Sequence, residues 1–481
     1  ISQIYKIGQA EFNKELVENG YQDNGSALYD NGSWVTNRGG DGMECAIDKN
    51  DNNYMYASVY YGSITRSSNK GRNFSSIAAD GRNGINESGG WVTPYLIDEG
   101  NSNTMFIGYK NLWRSTNVKA ASTNSVSWTK ISNNIGGSNT RNISVLEQSP
   151  ANTSILYVYR SDRKLFRTDN ANATTVTWTD LTSTLPSNSS ITDIEAHPSL
   201  PNVVYMTHNK KVYKSINKGA SWTDISANLP NITLRCLVFD RQSTEGIYVG
   251  GTPGIYYKDS SMTNWVSFYD AFPKDVSVTE LEIAYDTITP AFSQLRAATY
   301  GRGLWSSDLY DSGTNAPLAN FEIQGLINGC AGETIELKDR TAYSPSSWLW
   351  TITPNTFTLM SGSKLTDKNV KVRIDSAGFY SVKLRATNAN GTDSITRLNQ
   401  LVYSKKTVPS CVTTTINGSG YGIGIAEVVF ENLENATSIY NGTDSWSDYT
   451  CGNIAFVEPN SKYPIYVTTG TTYKQFVEVY I

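Results

Sequence analysis

The sequence predicts an all-β protein: a seven-bladed β-propeller followed by two smaller β-sandwich modules. Three observations carry that prediction. The composition is one of strands and turns, with 30 Tyr and 38 Gly among 481 residues and only 17% charged residues, where soluble domains average about 25%. Tyr, Thr, Ser, Asn and Gly are favoured in strands and turns, and Glu, Lys and Leu are sparse. A strand–turn–strand unit recurs through the first 309 residues, after which the recurrence stops and a different alternation begins.

Each repeat holds an apolar-aromatic strand, a Gly-containing turn, a short strand and a polar box. Examples are YMYASVYYGSITRSSNKGRNF from Tyr54 and VVYMTHNKKVYKSINKGASW from Val203. The boxes open at Ser67, Ser115, Thr168, Ser215, Asp259 and Ser306, at intervals of 44 to 53 residues. A degenerate earlier copy, GYQDNGSALYDNGSW, places a seventh box near Asp23. An aromatic residue closes most copies: Trp34, Phe74, Trp128, Trp178, Trp222 and Trp265. A period of 40–50 residues holding several short strands is the size of one propeller blade, and stacking blades around an axis buries faces that no single blade can bury. The last copy has no closing Trp strand. Its outer strand is expected from the N-terminal segment, which would close the ring.

Within SINKGASW (Ser215 to Trp222) and SSNKGRNF (Ser67 to Phe74), Asn can bond the turn backbone and Gly219 and Gly71 supply positive φ. These boxes resemble the Asp-box, S-x-D-x-G-x-x-W, of sialidase-like and sortilin-like (BNR) propellers, with Asn69 and Asn217 in place of the Asp. That resemblance implies a peripheral structural turn. GYQDNG (Gly20 to Gly25), GGDGMECAID (Gly39 to Asp48) and ATYGRGLW (Ala298 to Trp305) resemble secreted Bacteroidota propellers, some related to xyloglucan-cleaving glycoside hydrolases. The expected propeller spans 1–309 and a linker 310–317.

Residues 318–405 resemble a PKD domain, an immunoglobulin-like sandwich, through Trp348, Trp350, Gly378, Tyr380, Val382, Leu384, Asn388 and Gly391. Residues 410–481 resemble the GEVED domain of secreted Bacteroidota proteins, through Ile425 to Phe430, Tyr449-Thr450, Tyr466 to Thr468 and the strand from Phe476. This module is read as truncated, with an acidic calcium loop expected beyond Ile481 and no other cofactor. A disulfide between Cys411 and Cys451 is expected within it. Cys45 and Cys236, in apolar strands, are read as free and buried, and Cys330 is left odd.

Several function classes drop out. Lys+Arg (40) and Asp+Glu (44) nearly cancel to a net charge of -4, so no basic footprint for nucleic acid exists. No apolar run of about 18 residues could span a membrane as a helix. His197 and His208 are the only histidines, so neither a His/Cys metal site nor a serine-protease triad is expected. Low charge with many Asn, Ser and Tyr reads as secreted or cell-surface. N-x-S/T triplets occur at Asn24, Asn31 and Asn73. The chain starts at Ile1 without an apolar signal region and is read as a piece of a longer secreted protein. The resemblance implies export by type IX secretion, through a sorting domain that would lie C-terminal.

The expected function is binding, with propeller loops contacting polysaccharide or a surface protein. Tyr21, Tyr60, Tyr61, Tyr109, Trp113 and Tyr300 are candidates for stacking on sugar faces, with Arg302 in the adjoining turn. The alternative is glycoside hydrolysis by two carboxylates, for which Asp23 and Asp41 in Gly-flanked loops are the candidates. Arg302 would pair with one of them inside the ring, and the competing reading of both aspartates is a backbone-capping turn. A third alternative is the accessory region of a secreted protease. DTI (Asp286 to Ile288), DSA (Asp375 to Ala377) and DSI (Asp393 to Ile395) resemble Bacteroidota O-glycosylation sites, with Thr287, Ser376 and Ser394 as acceptors.

Overall fold

Strands carry the architecture of this computed structural model, which describes residues 2–133, 135, 141–268, 272–273, 275–405, 425–431, 433–436, 457 and 460–469. Among these residues the helical elements are single 3-10 turns. The chain divides into two units, Ile1–Tyr310 and Asp311–Ile481.

The first unit contains seven antiparallel sheets laid down in chain order, six of four strands and the last of three. Their first strands are Ile4–Gln9, Gly42–Ile47, Tyr95–Ile97, Ile143–Gln148, Ile191–Ala196, Thr233–Asp240 and Ser277–Ala284. Each of these packs against the first strand of the next sheet, and that of the seventh packs against that of the first. The result is a ring of sheets around an axial channel, the propeller arrangement, in which adjacent sheets bury each other's faces. Apolar clusters fill the junctions. One joins Tyr56, Ile64 and Ile77 of the second sheet to Ile107, Trp113 and Trp128 of the third.

The boxes sit where the sequence pattern implies, directly after the third strand of sheets two to six. In the second sheet Ser67 Oγ accepts the Gly71 N–H (3.0 Å) and Asn69 Oδ1 accepts the Asn73 N–H (3.0 Å). The fifth repeats this with Ser215 to Gly219 (2.8 Å) and Asn217 to Ser221 (2.9 Å). The closing tryptophan reaches back to the preceding sheet. Trp128 Nε1 donates to Ile77 O (2.9 Å), Trp178 to Ile131 O (3.2 Å) and Trp265 to Ile225 O (2.9 Å). Three of the boxes are preceded by an arginine, and it reaches forward. Arg66 donates to Val118 O (2.5 Å) and Ala120 O (2.8 Å), Arg114 to Ala171 O (2.6 Å), and Arg167 to Lys218 O (2.7 Å).

Two expectations need correction. Asp23 lies in the turn between the second and third strands, Leu16–Tyr21 and Gly25–Asp30, and so is not a box; the turn that follows the third strand of this sheet is Asp30–Ser33. The N-terminal segment does not become the outer strand of the seventh sheet. Ile4 and Ile7 are fully buried against Val17 and Ala298, so the apolar pattern commits this segment to the innermost strand of the first sheet. Its start meets the Tyr300–Gly303 turn of the seventh sheet through an isolated bridge, Gln3 with Tyr300, and a Gly301 N–H to Ser2 O bond (2.9 Å).

In the second unit, two four-stranded sheets enclose one core that includes Phe321, Leu337, Trp350, Val372, Tyr380 and Leu401. One sheet is built on Thr334–Asp339 and Asn369–Ile374, the other on Gly378–Asn388 and Gly391–Ser404. The Tyr380 hydroxyl donates to Ser376 O (2.8 Å), pinning the corner before its strand. A separate three-stranded sheet joins Leu433–Ala436, Ile425–Phe430 and Ile465–Thr469. Cys45 and Cys236 are free and buried. Cys330 is disulfide-bonded, which corrects its reading as the odd cysteine; its partner lies outside the described residues, as do Cys411, Cys451, Tyr449, Thr450 and Phe476.

Candidate functional site

The axial channel has a volume of about 630 Å³ and is lined by the first strand of all seven sheets. Side chains alternate along a strand, so TELEI and TDIE each send two carboxylates to the same face. Glu280 and Glu282 come from the seventh sheet, Asp193 and Glu195 from the fifth, Glu147 from the fourth and Glu44 from the second. Their role is local. An innermost strand has one edge of unpaired N–H groups, and a carboxylate from the preceding sheet caps it. Glu147 accepts the Ala196 N–H (2.9 Å), Asp193 the Leu237 N–H (2.9 Å), Glu195 the Phe239 N–H (3.2 Å) and Glu282 the Gln9 N–H (3.0 Å). Glu280 accepts the Ile7 N–H and pairs with Lys6 Nζ at 2.7 Å.

Crowding these acids in a confined channel favours their neutral forms. Burial pushes the Glu44 carboxyl up to about 8 against the pull of Lys6, and Asp193 up to about 6. Burial with the neighbouring Asp193 raises Glu195 to about 8. Burial also drives Glu147 and Glu282 well above the carboxylate range, reinforced by Glu195 and Glu280 respectively. For Lys6, burial opposes the charge, but Glu280, Glu44 and Asp193 outweigh it and the pKa rises.

Registers Ile4–Tyr21, Gly42–Val59 and Ser277–Tyr300 put the turns after the second strands at the end where the first strands begin. An arc of aromatic rings lies there. Tyr60 and Trp91 stack with centroids 5.4 Å apart and planes at 11°, and Tyr61 meets both edge-on. Trp91 Nε1 donates to the Tyr5 hydroxyl (3.2 Å), and Tyr5 packs against Tyr300 at 5.8 Å. Both tyrosine hydroxyls donate to Gln22 Oε1. Tyr60, Tyr61, Trp91 and Tyr300 are 41%, 51%, 43% and 38% exposed, so part of each ring is accessible from outside. Gly62 sets the turn: its φ is +80°, and a Cβ there would lie 2.3 Å from the Tyr109 ring.

The structure brings some candidate residues together and separates others. Tyr61 and Tyr300 lie on the arc. Tyr21 is half-buried, its hydroxyl accepting from Asn19 (2.9 Å). Tyr109 and Trp113 are buried, contrary to their expected role in stacking on sugars. The Tyr109 hydroxyl donates to Gly62 O (2.6 Å), and Trp113 packs in the junction core with Lys130 over its ring (5.0 Å). Asp23 and Asp41 do meet, but through the Asp23 N–H, which donates to Asp41 Oδ1 at 2.6 Å. Asp41 therefore caps the turn that holds Asp23 at φ +60°. Arg302 is exposed on the Tyr300–Gly303 turn, not in the ring interior, with its N–H on Thr299 Oγ1 (3.2 Å). Thr287, Ser376 and Ser394 are all exposed. Among the described residues no group of three or more His, Cys, Asp or Glu side chains is placed to hold a metal ion, and no helix is long and apolar enough to cross a membrane.

The sequence reading missed Tyr5, Gln22, Trp91 and the channel acids. The acids left a signal, since Glu or Asp at every second position of an otherwise apolar strand marks a face turned away from the core.

Residues 122–287 match a family described as the DUF6242 beta propeller domain. No curated protein matches the chain. Among solved structures the chain is similar to an ancestral GH74 enzyme, with a TM-score of 0.51, 13% identity, and coverage of 81% of this chain and 59% of that one. It is also similar to the GH74 enzyme of Niastella koreensis, with a TM-score of 0.50, 15% identity, and coverage of 82% and 66%. The chain thus spans less than two thirds of either enzyme, and at these identities the likeness is one of fold.

Proposed function

We propose that the seven sheets are the blades of a seven-bladed propeller in a secreted, cell-surface binding protein, and that its aromatic arc contacts a polysaccharide chain. The observation that carries this reading is the stacked, half-exposed Tyr60–Trp91 pair at the rim, with the Tyr5 and Tyr300 hydroxyls and Gln22 beside it. A flat aromatic face offers stacking to the C–H face of a sugar ring, and the adjacent hydroxyls and amide offer hydrogen bonds that fix its orientation. The two four-stranded sheets of the second unit serve as a PKD-like spacer, followed by a GEVED-like module. Export by type IX secretion and glycosylation at Thr287, Ser376 and Ser394 belong to the same reading.

Glycoside hydrolysis is the second reading, supported by the propeller fold shared with GH74 enzymes. A panel of soluble polysaccharides tests both. Binding by the intact chain, lost in Trp91→Ala and retained in Asp41→Ala without release of reducing sugar, supports the binding reading. Sugar release abolished by Asp23→Ala or Asp41→Ala would replace it with hydrolysis. Binding to no glycan, but to a surface protein through the same arc, would change the ligand class.

A further inference from the structure

The rim arc holds one polar group whose orientation the rest of the arc dictates. An indole N–H can only donate, so Trp91 Nε1 occupies a lone pair of the Tyr5 hydroxyl (3.2 Å). That hydroxyl sends its own hydrogen on to Gln22 Oε1 (3.0 Å), and the Tyr300 hydroxyl donates to the same oxygen. With two donors converging on it, the amide atom facing the tyrosines is the carbonyl oxygen and not the NH2. The Nε2 hydrogens therefore project away from the tyrosine pair. Gln22 is half-buried, and its Nε2 finds no acceptor among the described residues.

The platform beside this amide is fixed as firmly. The Gly89 N–H donates to Tyr61 O (3.1 Å) and the Tyr61 N–H to Gly90 O (3.2 Å). The turn that carries Tyr60 is thus bonded to the segment that carries Trp91, and the stacked pair is in place before a ligand arrives. A ligand lying against that pair meets, two hydrogen bonds along from the indole, an amide NH2 that only donates.

The charge around the amide narrows what it can meet. Asp23 follows Gln22 directly, and Asp41 Oδ1 accepts the Asp23 N–H at 2.6 Å. Against these two carboxylates the adjoining turn offers one guanidinium, the exposed Arg302. A uronate would bring a third negative charge to this end of the arc. A carbonyl oxygen is neutral and accepts without also donating. On a sugar ring the acetamido group supplies one, and its methyl adds apolar surface to lay against the aromatic rings.

We infer that the arc selects a glycan of N-acetylated amino sugars, the acetamido carbonyl accepting from Gln22 Nε2 while a sugar ring lies on the Tyr60–Trp91 pair. A plain hydroxyl at the same place also accepts, so glucose chains use the same platform and bind more weakly. The inference rests on the polysaccharide reading of the arc and makes Gln22 its specificity-determining residue.

Titration calorimetry of the intact chain with chitin-type and cellulose-type hexasaccharides tests it, since these differ only in an acetamido group replacing one hydroxyl of each sugar. The acetylated chain binds about tenfold tighter, the size expected of one well-placed hydrogen bond. Gln22→Met keeps the side-chain length, removes the donor and abolishes the preference. Gln22→Glu, which still accepts from both tyrosines but sets an oxygen where the NH2 was, abolishes it too. Trp91→Ala weakens both ligands. Equal affinities for the unaltered chain, a preference that survives both Gln22 variants, or tighter binding of an oligogalacturonate would overturn the inference. If Trp91-dependent binding of an unacetylated chain remains in those cases, the polysaccharide reading stands without it. If no glycan binds through Trp91, both fall.

Discussion

At the junctions among sheets two to six, a tryptophan from each later sheet bonds back to the sheet before it, and at three of them an arginine bonds forward to the next box. At the seventh–first junction the described residues show no such tryptophan; Arg296 of the seventh sheet donates to Lys14 O, and carboxylates cap backbone amides there as they also do from the fourth sheet to the fifth and from the fifth to the sixth. The ring is thus held by two kinds of contact, in different proportions from junction to junction. Buried aromatic plugs and arginine–carbonyl bonds are nearly indifferent to pH. A carboxylate row in a shared cavity is not, because its members interact with one another as well as with the strands they cap.

The largest effect that would separate the two kinds of contact is the loss of a plug. Trp128 is 6% exposed and its indole N–H is satisfied, so Trp128→Ala is expected to cost about 3–5 kcal/mol in chemical denaturation. Trp34 is 49% exposed on the outer strand of the first sheet, and Trp34→Ala should cost under about 1 kcal/mol. Equal costs would mean that the plugs are not what distinguishes the middle sheets. Arg66→Ala comes next, at about 2 kcal/mol, because a 6% exposed guanidinium leaves two carbonyls without their donor.

The pH dependence follows in size. Glu44, Asp193 and Glu195 have folded values above those of an unfolded chain. Between the two the native state binds more protons, so this part of the stability is complete below the unfolded values. It is lost as pH rises through about 6 for Asp193 and about 8 for Glu44 and Glu195. Calorimetry should show the melting temperature of the first unit falling from pH 5 to pH 8, with a flatter profile in Glu44→Gln. A melting temperature that climbs over this range would reject the account of the channel. The smallest effect concerns thiols. Cys45 and Cys236 are buried and burial pushes both thiols up, so neither should alkylate readily in the native state at pH 7. Since only Cys411 and Cys451 remain by count, a peptide map without reduction should find Cys330 joined to one of them. A map joining Cys411 to Cys451 would contradict that.

What the sequence made legible was short-range. A box opens on Ser or Thr with Asn two residues on, followed by Gly in the second and fifth sheets, and its bonds close within 4 to 10 residues, so Ser67, Ser115, Thr168 and Ser215 could be read directly. The tryptophans were readable as closing residues for the same reason, although their partners in the preceding sheet were not. The channel chemistry is long-range. Glu280 meets Ile7 across 273 positions, and no local pattern announces that pairing. Aromatic residues in turns misled in another way: Tyr61 and Tyr109 occupy equivalent turns in successive sheets, but the tight approach at Gly62 buries one ring and leaves the other exposed. Asp23 and Asp41 looked alike as loop carboxylates, and only their mutual geometry shows one capping the turn of the other.

The sequence distance between the first and seventh sheets, which meet across 273 positions at Ile7 and Glu280, bears on how the chain comes to be folded. Contacts between consecutive sheets can form as each emerges during synthesis, since the tryptophan and arginine partners lie some 50 residues apart and local contacts form early. The first strand, made before the other six sheets, has to wait with Ile4 and Ile7 unpacked on one side until Ala298 arrives. Growth of the ring is therefore directional, and its final act joins the oldest strand to the newest sheet. Until then the waiting edge of Ile4–Gln9 is the surface most open to pairing with the wrong chain.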